Sequence, residues 1–389
     1  MNNAKNTTLL PYLERLLDGE DVEWKTLGEV CDILRGKRLT KKELSEEGKY
    51  AVFHGGLVPI GFYSESNRKG DTTMVINVGA SAGTIGYSRD DFWSSDGCFC
   101  ISPSPFLLSR FIFYVLQSKD FLIKGKVRIA GIPTLDSNVL EQFPIPIPPL
   151  RVQARIVEIL DKFTQLEAEL EKELAAELEA RKKQYAYYRD QLLNFSQYPP
   201  LNVNVEWKTL GEVCDYEQPT AYLVRNTNYS DQYPIPVLTA GKTFILGYTN
   251  ETTGIYRASE HPTIIFDDFT TANKWVDFDF KAKSSAMKML TSKDEKVCLL
   301  KYIYYWLNTL PDDFIVGDHS RQWISNYAQK LFPLPPLSEQ RRIVDILDRF
   351  DTLTNSISEG LPKEIALRRK QYEYYRDALL SFPRPEVSA

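Results

Sequence analysis

Cysteine is scarce in this chain: five residues in 389, at positions 31, 98, 100, 214 and 298. That is too few and too scattered for a disulfide framework, and it points to a reducing compartment, a cytoplasm. Histidine is scarcer still. His54, His261 and His319 lie far apart, and no second Cys or His pair completes a metal-ligand spacing around Cys98-Phe99-Cys100. No run of 18 apolar residues occurs, so no membrane span is expected. The opening MNNAKNTTLLPYLERLL has no basic start, apolar stretch or small-residue cleavage site, so no signal peptide is expected. A basic excess is also missing: 47 Lys and Arg stand against 52 Asp and Glu, a net charge of −5. Bulk charge therefore does not draw this chain to nucleic acid, and any such binding must come from local patches. Segment 35–142 carries 14 basic and 11 acidic residues, net +3, and segment 216–331 carries 12 and 13, net −1.

What the chain has is itself, twice. RKKQYAYYRDQLLNF at 181–195 returns as RRKQYEYYRDALLSF at 368–382, and PPLRVQARIVEILDKF at 148–163 as PPLSEQRRIVDILDRF at 335–350, both at an offset of 187 residues. VEWKTLGEVCD at 22–32 recurs at 205–215, offset by 183. Between these blocks, 35–142 and 216–331 share little identity. The period is far longer than a solenoid repeat and marks duplication of a whole unit. One part of the unit is held in common and the other is free to differ. Hydrophobic content of 43% and charged content of 25% are ordinary globular values, and each divergent block is long enough for its own core.

The common blocks read as long amphipathic helices. From Ile156 the apolar residues step by threes and fours through Leu160, Phe163, Leu170, Tyr185 and Tyr188. The second copy repeats the register at Ile343, Leu347, Phe350, Ile357, Tyr372 and Tyr375. Over 156–192 one helix would reach about 55 Å. Such a stripe needs a partner: either the neighbouring domain, or the other helix in an antiparallel coiled coil with a pseudo-two-fold axis between the halves. The proline-rich phrases FPIPIPPL (143–150) and FPLPPL (332–337) suit a rigid approach to a helix first turn rather than a strand ladder. Gly360 and Pro362 predict a kink or break in the second helix.

The divergent blocks read as small α+β domains. TTMVINVGASAGTIGY at 72–87, CFCIS at 98–102 and TIIF at 263–266 are strand-like. FLLSRFIFYVLQS at 106–118 and VCLLKYIYYWLNTL at 297–310 are helical, and the polar loops 126–138 and 318–326 follow them. GASAGTIG at 79–86 lacks the GxxxxGK[ST] pattern of a phosphate loop and reads as a turn that brings backbone close to a partner. Glu23-Trp24-Lys25 and Glu206-Trp207-Lys208 have a nuclease-like E-x-K order, but a duplicated structural strand explains both copies. Tyr198-Pro199-Pro200-Leu201 has the prolines of an adenine methyltransferase loop with the wrong flanks. No catalytic or metal residue is assigned.

Two copies of xEWKTLGEVCD, divergent blocks, IPIPPL or LPPLSEQRRIV phrases and helices ending QYxYYRDxLL make the chain resemble the specificity subunits of type I restriction–modification systems. The resemblance covers essentially the whole chain. It implies a non-catalytic cytoplasmic protein of a bacterium or archaeon, with two target recognition domains at 1–150 and 196–337 and conserved spacer helices at 151–195 and 338–389. Each domain would bind half of an asymmetric, split site in double-stranded DNA. The helices would set the spacer and dock methyltransferase subunits, two in number, with restriction subunits as further partners. S-adenosylmethionine, ATP and Mg would belong to those partners and not to this chain. The family supplies no fixed base-contact motif. Local chemistry alone offers His54, Lys126, Arg128 and Thr134 in the first domain, and Lys242, Lys283, Ser284, Ser320, Arg321 and Gln322 in the second. The competing expectations are a coiled-coil scaffold without a DNA role and a self-contained methyltransferase or nuclease.

Overall fold

The computed structural model describes residues 11–198, 203–240, 243–310, 321–355 and 360–383. Each repeated VEWKTLGEVCD phrase folds the same way. A strand (Glu23–Thr26, Glu206–Thr209) runs into one helical turn and then into a second strand (Cys31–Arg35, Cys214–Glu217). The turn starts with a capping box in both copies: the Thr26 amide and hydroxyl donate to Glu29 at 2.6 and 2.8 Å, and Thr209 donates to Glu212 at the same distances.

The proline-rich phrases are strands, not merely approaches to a helix. Pro144–Ile147 pairs antiparallel with Glu23–Thr26, and Leu331–Leu334 with Glu206–Thr209. Proline is tolerated because each sheet has only two strands, so both are edges and a missing N–H can face outward.

Each divergent block is a mixed fold. The first has a four-stranded antiparallel sheet ordered Cys31–Arg35, Cys98–Pro103, Thr72–Ile76, Ile85–Ser88. A small sheet of Gly61–Tyr63, Tyr50–Phe53 and Trp93–Ser94 stands beside it, with its last pair parallel. The second block repeats this plan: Cys214–Glu217, Met287–Ser292, Thr263–Asp267, Asn273–Val276, and a small sheet of Ile245–Thr249, Ile235–Leu238 and Lys281–Ala282. Helix Ser109–Gln117 covers the first sheet and helix Leu300–Leu307 the second, each contributing a buried face to its core. All five cysteines are buried and free. The GASAGTIG segment forms a tight turn with Gly79 and Gly83 both at φ +87°, where a side chain would strain the backbone.

The first long helix is continuous over Leu150–Leu193. The second is broken into Leu337–Asn355 and Leu361–Leu379, as Gly360 and Pro362 predict. A Cβ on Gly360 would meet the Thr352 and Leu353 carbonyl oxygens at 2.3 and 2.5 Å, so the break has no room for any other residue. Pro362 sits in the first turn of the helix that follows, where its missing N–H costs nothing.

The chain divides into two compact units, residues 1–173 with 365–389, and residues 174–364. Each unit therefore holds one globular domain and parts of both long helices. Both expected partners for the apolar stripe are found, at different depths. Ile156 and Leu160, like Ile343 and Leu347, are fully buried against the domain of their own half. Further along, helix meets helix. In the first unit Phe163 packs on Tyr375 at 6.1 Å between ring centroids, the Thr164 and Tyr372 hydroxyls share a hydrogen bond of 2.9 Å, and Arg369 pairs with Glu171 at 2.8 Å. Rising numbers meet falling ones, so the pair is antiparallel. In the second unit Tyr188 stacks on Phe350 at 5.8 Å and Tyr185 lies at 6.3 Å from it. Leu170 is half-buried, and Ile357 lies outside the described residues.

The repeated QYxYYRDxLL ends then close the cores. Leu379, Leu380 and Phe382 belong to the first core, where Phe382 packs on Phe111 at 6.5 Å, and Leu193 and Phe195 belong to the second. The Trp24 indole donates to the Pro383 carbonyl at 2.8 Å.

In each half a buried glutamine joins helix to domain. Gln153, wholly buried, accepts from the Leu108 amide at 2.9 Å and donates to the Phe106 and Pro148 carbonyls at 3.0 and 2.8 Å. Gln340, equally buried, accepts from Leu299 N at 2.9 Å and donates to the Val297 and Pro335 carbonyls at 3.0 and 2.9 Å. Below each glutamine a carboxylate repeats the attachment. Asp161 takes the Tyr114 hydroxyl at 2.6 Å and Arg110 at 2.7 Å, and Asp348 takes the Tyr305 hydroxyl and Lys301 at 3.5 Å. Burial first, and then the acceptor carboxylate, hold the Tyr114 and Tyr305 phenols above their ordinary range, so both stay protonated donors.

Gln153→Leu keeps the volume and strands an amide and two carbonyls. It is expected to destabilise the first unit by about 2 kcal/mol, with Gln340→Leu doing the same to the second. Hydrogen exchange read by peptide mass spectrometry should show lost protection in the mutated unit alone. Unchanged protection at 106–108 would contradict the role given to the glutamine.

Candidate nucleic-acid interface

In the first domain four loops converge at the end of the large sheet. Strand Thr72–Ile76 runs into Asn77, whose amide donates to the Gly97 carbonyl at 3.2 Å and whose carbonyl accepts from Leu135 N at 2.9 Å. Gly79 N donates to Pro133 O at 2.9 Å. Residues 128–134 form a hairpin closed by two bonds between Arg128 and Thr134, at 2.9 and 3.0 Å, with Gly131 at φ +83° near its tip. The fourth loop brings His54: its Nδ1 lies 3.2 Å from Ser95 Oγ and 3.3 Å from Asp96 Oδ1. Both oxygens meet the same ring nitrogen, so this is a polar anchor and not a relay. A Cβ at Gly97 would strike the His54 ring at 2.7 Å, which fixes the close approach of the two loops.

The second domain builds the same rim with other residues. Strand Thr263–Asp267 runs into Asp268, whose carbonyl accepts from Gln322 N at 2.8 Å, as Asn77 accepts from Leu135. Arg321 therefore stands where the first domain has Thr134. Lys283 N donates to Leu238 O at 2.9 Å, as Ser95 N donates to Phe53 O at 3.0 Å, so Lys283 and Ser284 stand where the first domain has Ser95 and Asp96. The Lys283 ammonium lies 6.0 Å over the Tyr229 ring, and Ser284 Oγ accepts from Ala286 N at 3.2 Å.

Two buried ion pairs stiffen this second rim. Asp268 accepts from Trp323 N at 2.8 Å and lies 3.5 Å from Lys288, whose ammonium sits 4.8 Å over the Tyr216 ring. Glu251 lies 3.0 Å from Lys281 and accepts from the Arg225 and Asn226 amides at 2.8 and 3.1 Å. Burial pushes the Glu251 carboxyl up, but Lys281 and those two amides outweigh it and leave it below the usual range.

The structure thus gathers His54, Arg128 and Thr134 in one domain, and sets Lys283, Ser284, Arg321 and Gln322 at the matching loops of the other. It does not bring Lys126 to the rim. That residue lines an apolar cavity with Trp24, Val115, Leu122 and Pro146. Lys242 and Ser320 lie outside the described residues. Sequence reasoning missed Asn77 and Asp268, the strand ends on which the loops are hung. Their signal was present only as a polar residue directly after an apolar strand. Among the described residues no cluster of metal-ligating side chains occurs, and no helix is long and apolar enough to cross a membrane.

These features have known counterparts. The family model for the type I restriction modification DNA specificity domain matches twice, at residues 19–180 and 202–367. The Escherichia coli type I restriction enzyme EcoR124I/EcoR124II specificity subunit is 64% identical over 192 residues, 48% of this chain and 46% of that one. A Haemophilus influenzae protein, S.HindORF215P, described as a type I restriction enzyme specificity subunit, is 32% identical over 95% of this chain and 98% of its own. Among solved structures, one concerned with complex assembly and conformational transition of the type I R-M system aligns with a TM-score of 0.60 at 18% identity, covering 94% of this chain and 99% of that one. The crystal structure of a type I restriction-modification system S subunit from M. genitalium aligns at 0.50 and 19%, covering 95% and 98%. The similarity to the solved structures is one of fold. The family match and the full-length relative show that this chain belongs to the type I restriction–modification DNA specificity family.

Proposed function

We propose that this chain is the DNA-reading subunit of a type I restriction–modification complex. Each globular domain binds one half of an asymmetric, split site in duplex DNA. The paired helices set the distance between the halves and dock methyltransferase subunits, and restriction subunits are further partners. The chain contributes recognition and no catalysis. S-adenosylmethionine, ATP and Mg act on the partner subunits.

The observation that carries this reading is the contrast between frame and rim. The glutamine attachment and the capping boxes repeat in both halves and the helix ends nearly so, while the rim loops differ. A duplicated frame with two different rims suits a site with two unlike halves. Loop side chains such as Arg128, Thr134, Lys283, Arg321 and Gln322 have the donors and acceptors that base edges and phosphates take up. Domains joined by helices suit half-sites separated along the duplex.

Two outcomes are expected. Arg321→Ala weakens or relaxes recognition of one half-site by about tenfold, the low end of a good base contact, and leaves the other half unchanged. Competition binding with the methyltransferase-loaded complex checks this, and equal loss at both halves contradicts it. One helical turn inserted within 164–180, matched in the second helix, lengthens the spacer by one or two base pairs, given about 5.4 Å per turn against 3.4 Å per base pair. A methylation map reads the result, and altered half-site letters contradict the role of the helices.

A further inference from the structure

The hairpin 128–134 has an unusual distribution of polarity. At its base Arg128 is exposed, while Lys124 just before it pairs with Asp120 at 2.7 Å and Lys126 faces the apolar cavity. Its tip carries two isoleucines in water: Ile129 is 82% exposed and Ile132 70%. The tip is not a loose loop. Arg128 and Thr134 bond each other twice, the Thr134 hydroxyl donates to Ile132 O at 2.9 Å, and Pro133 O is held by Gly79 N. A rigid backbone therefore presents two β-branched apolar side chains beside the rim that carries His54 and Arg128. The first unit has ample buried positions for isoleucine, and nothing in the hairpin's own packing uses these two.

We propose that Ile129 and Ile132 read thymine in the half-site bound by the first domain. This rests on the DNA-reading function proposed above and specifies what that rim recognises. The argument is chemical. Undistorted B-DNA exposes one kind of apolar group to a protein, the thymine C5-methyl, and it lies in the major groove. That groove is wide enough for a two-stranded ribbon, and so for this narrower loop, which one Arg128–Thr134 bridge closes at its neck. The exposed Arg128 at the base of the loop suits a phosphate that flanks the groove. An apolar tip could also act by wedging between base pairs, but wedges of that kind work from the minor groove and kink the duplex.

The test uses the full chain loaded with its methyltransferase partner and duplexes carrying its site. Uracil replaces each thymine of the first half-site in turn, which removes only the methyl group. For wild type, at least one uracil should weaken binding about fourfold, the ~0.8 kcal/mol of one buried methyl converted at 1.4 kcal/mol per tenfold. Ile129→Ala/Ile132→Ala should lose a similar or larger factor on the thymine duplex, show no further response to uracil, and keep its affinity for the second half-site. A half-site without an A·T pair, or a wild type indifferent to every uracil, overturns the inference while leaving the DNA-reading function intact. A 2-aminopurine signal showing unstacking that vanishes in the double variant also overturns it, in favour of a wedge. Loss of methyltransferase binding by the double variant, with DNA binding per loaded complex unchanged, overturns it in favour of a protein contact. A wild-type complex with no sequence-selective binding at all removes both readings together.

Discussion

The fold depends on a buried glutamine that bonds to backbone. Gln153 and Gln340 each hold one amide and one carbonyl of the divergent block and one carbonyl of the proline-rich strand's end. Since the groups gripped in the divergent block are main-chain atoms, that block can change its side chains without loosening the joint. A side-chain partner would have fixed an identity in the block that differs between the two halves. Buried amides left unpaired cost more than the bond itself contributes, so the joint tolerates no partial version. The carboxylates Asp161 and Asp348 add a second fixed point one layer down, where each takes a tyrosine hydroxyl and a cation from the covering helix, Tyr114 with Arg110 and Tyr305 with Lys301.

From that joint the rest follows in order. A helix clamped at its start presents its first turns, Ile156 and Leu160 or Ile343 and Leu347, to its own domain. Beyond them the stripe has no domain to cover and meets the antiparallel partner through Phe163 and Tyr375, or Tyr188 and Phe350. The helix ends carry Leu379, Leu380 and Phe382 into the first core and Leu193 and Phe195 into the second. The phrase QYxYYRDxLL is thus written twice because each copy closes one core. At the far end of each large sheet, Asn77 and Asp268 hang the rim loops on the strand ends by main-chain bonds, so the loops too are free to differ.

Much of this was legible in the letters. Duplication, the helical stripe, the break at Gly360 and Pro362 and the α+β character of the divergent blocks are local patterns with local causes. The choice of partner for the stripe was not legible, because a 3.6-residue period says which face is apolar and not what covers it. The answer was both. The proline-rich strands were misread because proline argues against a ladder, and only the pairing with EWKT, some 120 residues away, reveals a two-stranded ribbon of edges. The glutamines were visible as shared letters in PPLRVQ and PPLSEQ, yet a single polar residue on an apolar face gives no sign of three bonds to distant backbone. Of the rim candidates, Thr134 and Arg321 occupy one topological position. Lys126 was chosen for its charge and lies in an apolar cavity wall, since charge in a loop does not say which side the loop faces.

The central claim is that this chain alone decides which DNA sequence its partners modify. The most direct measurement is a genome-wide methyladenine map, with the gene present and deleted, in a cell that carries the neighbouring methyltransferase gene. The account predicts that one asymmetric, split motif disappears on deletion and returns on complementation. A map that does not change while the methyltransferase remains active, with no methyltransferase captured by this chain, would contradict it.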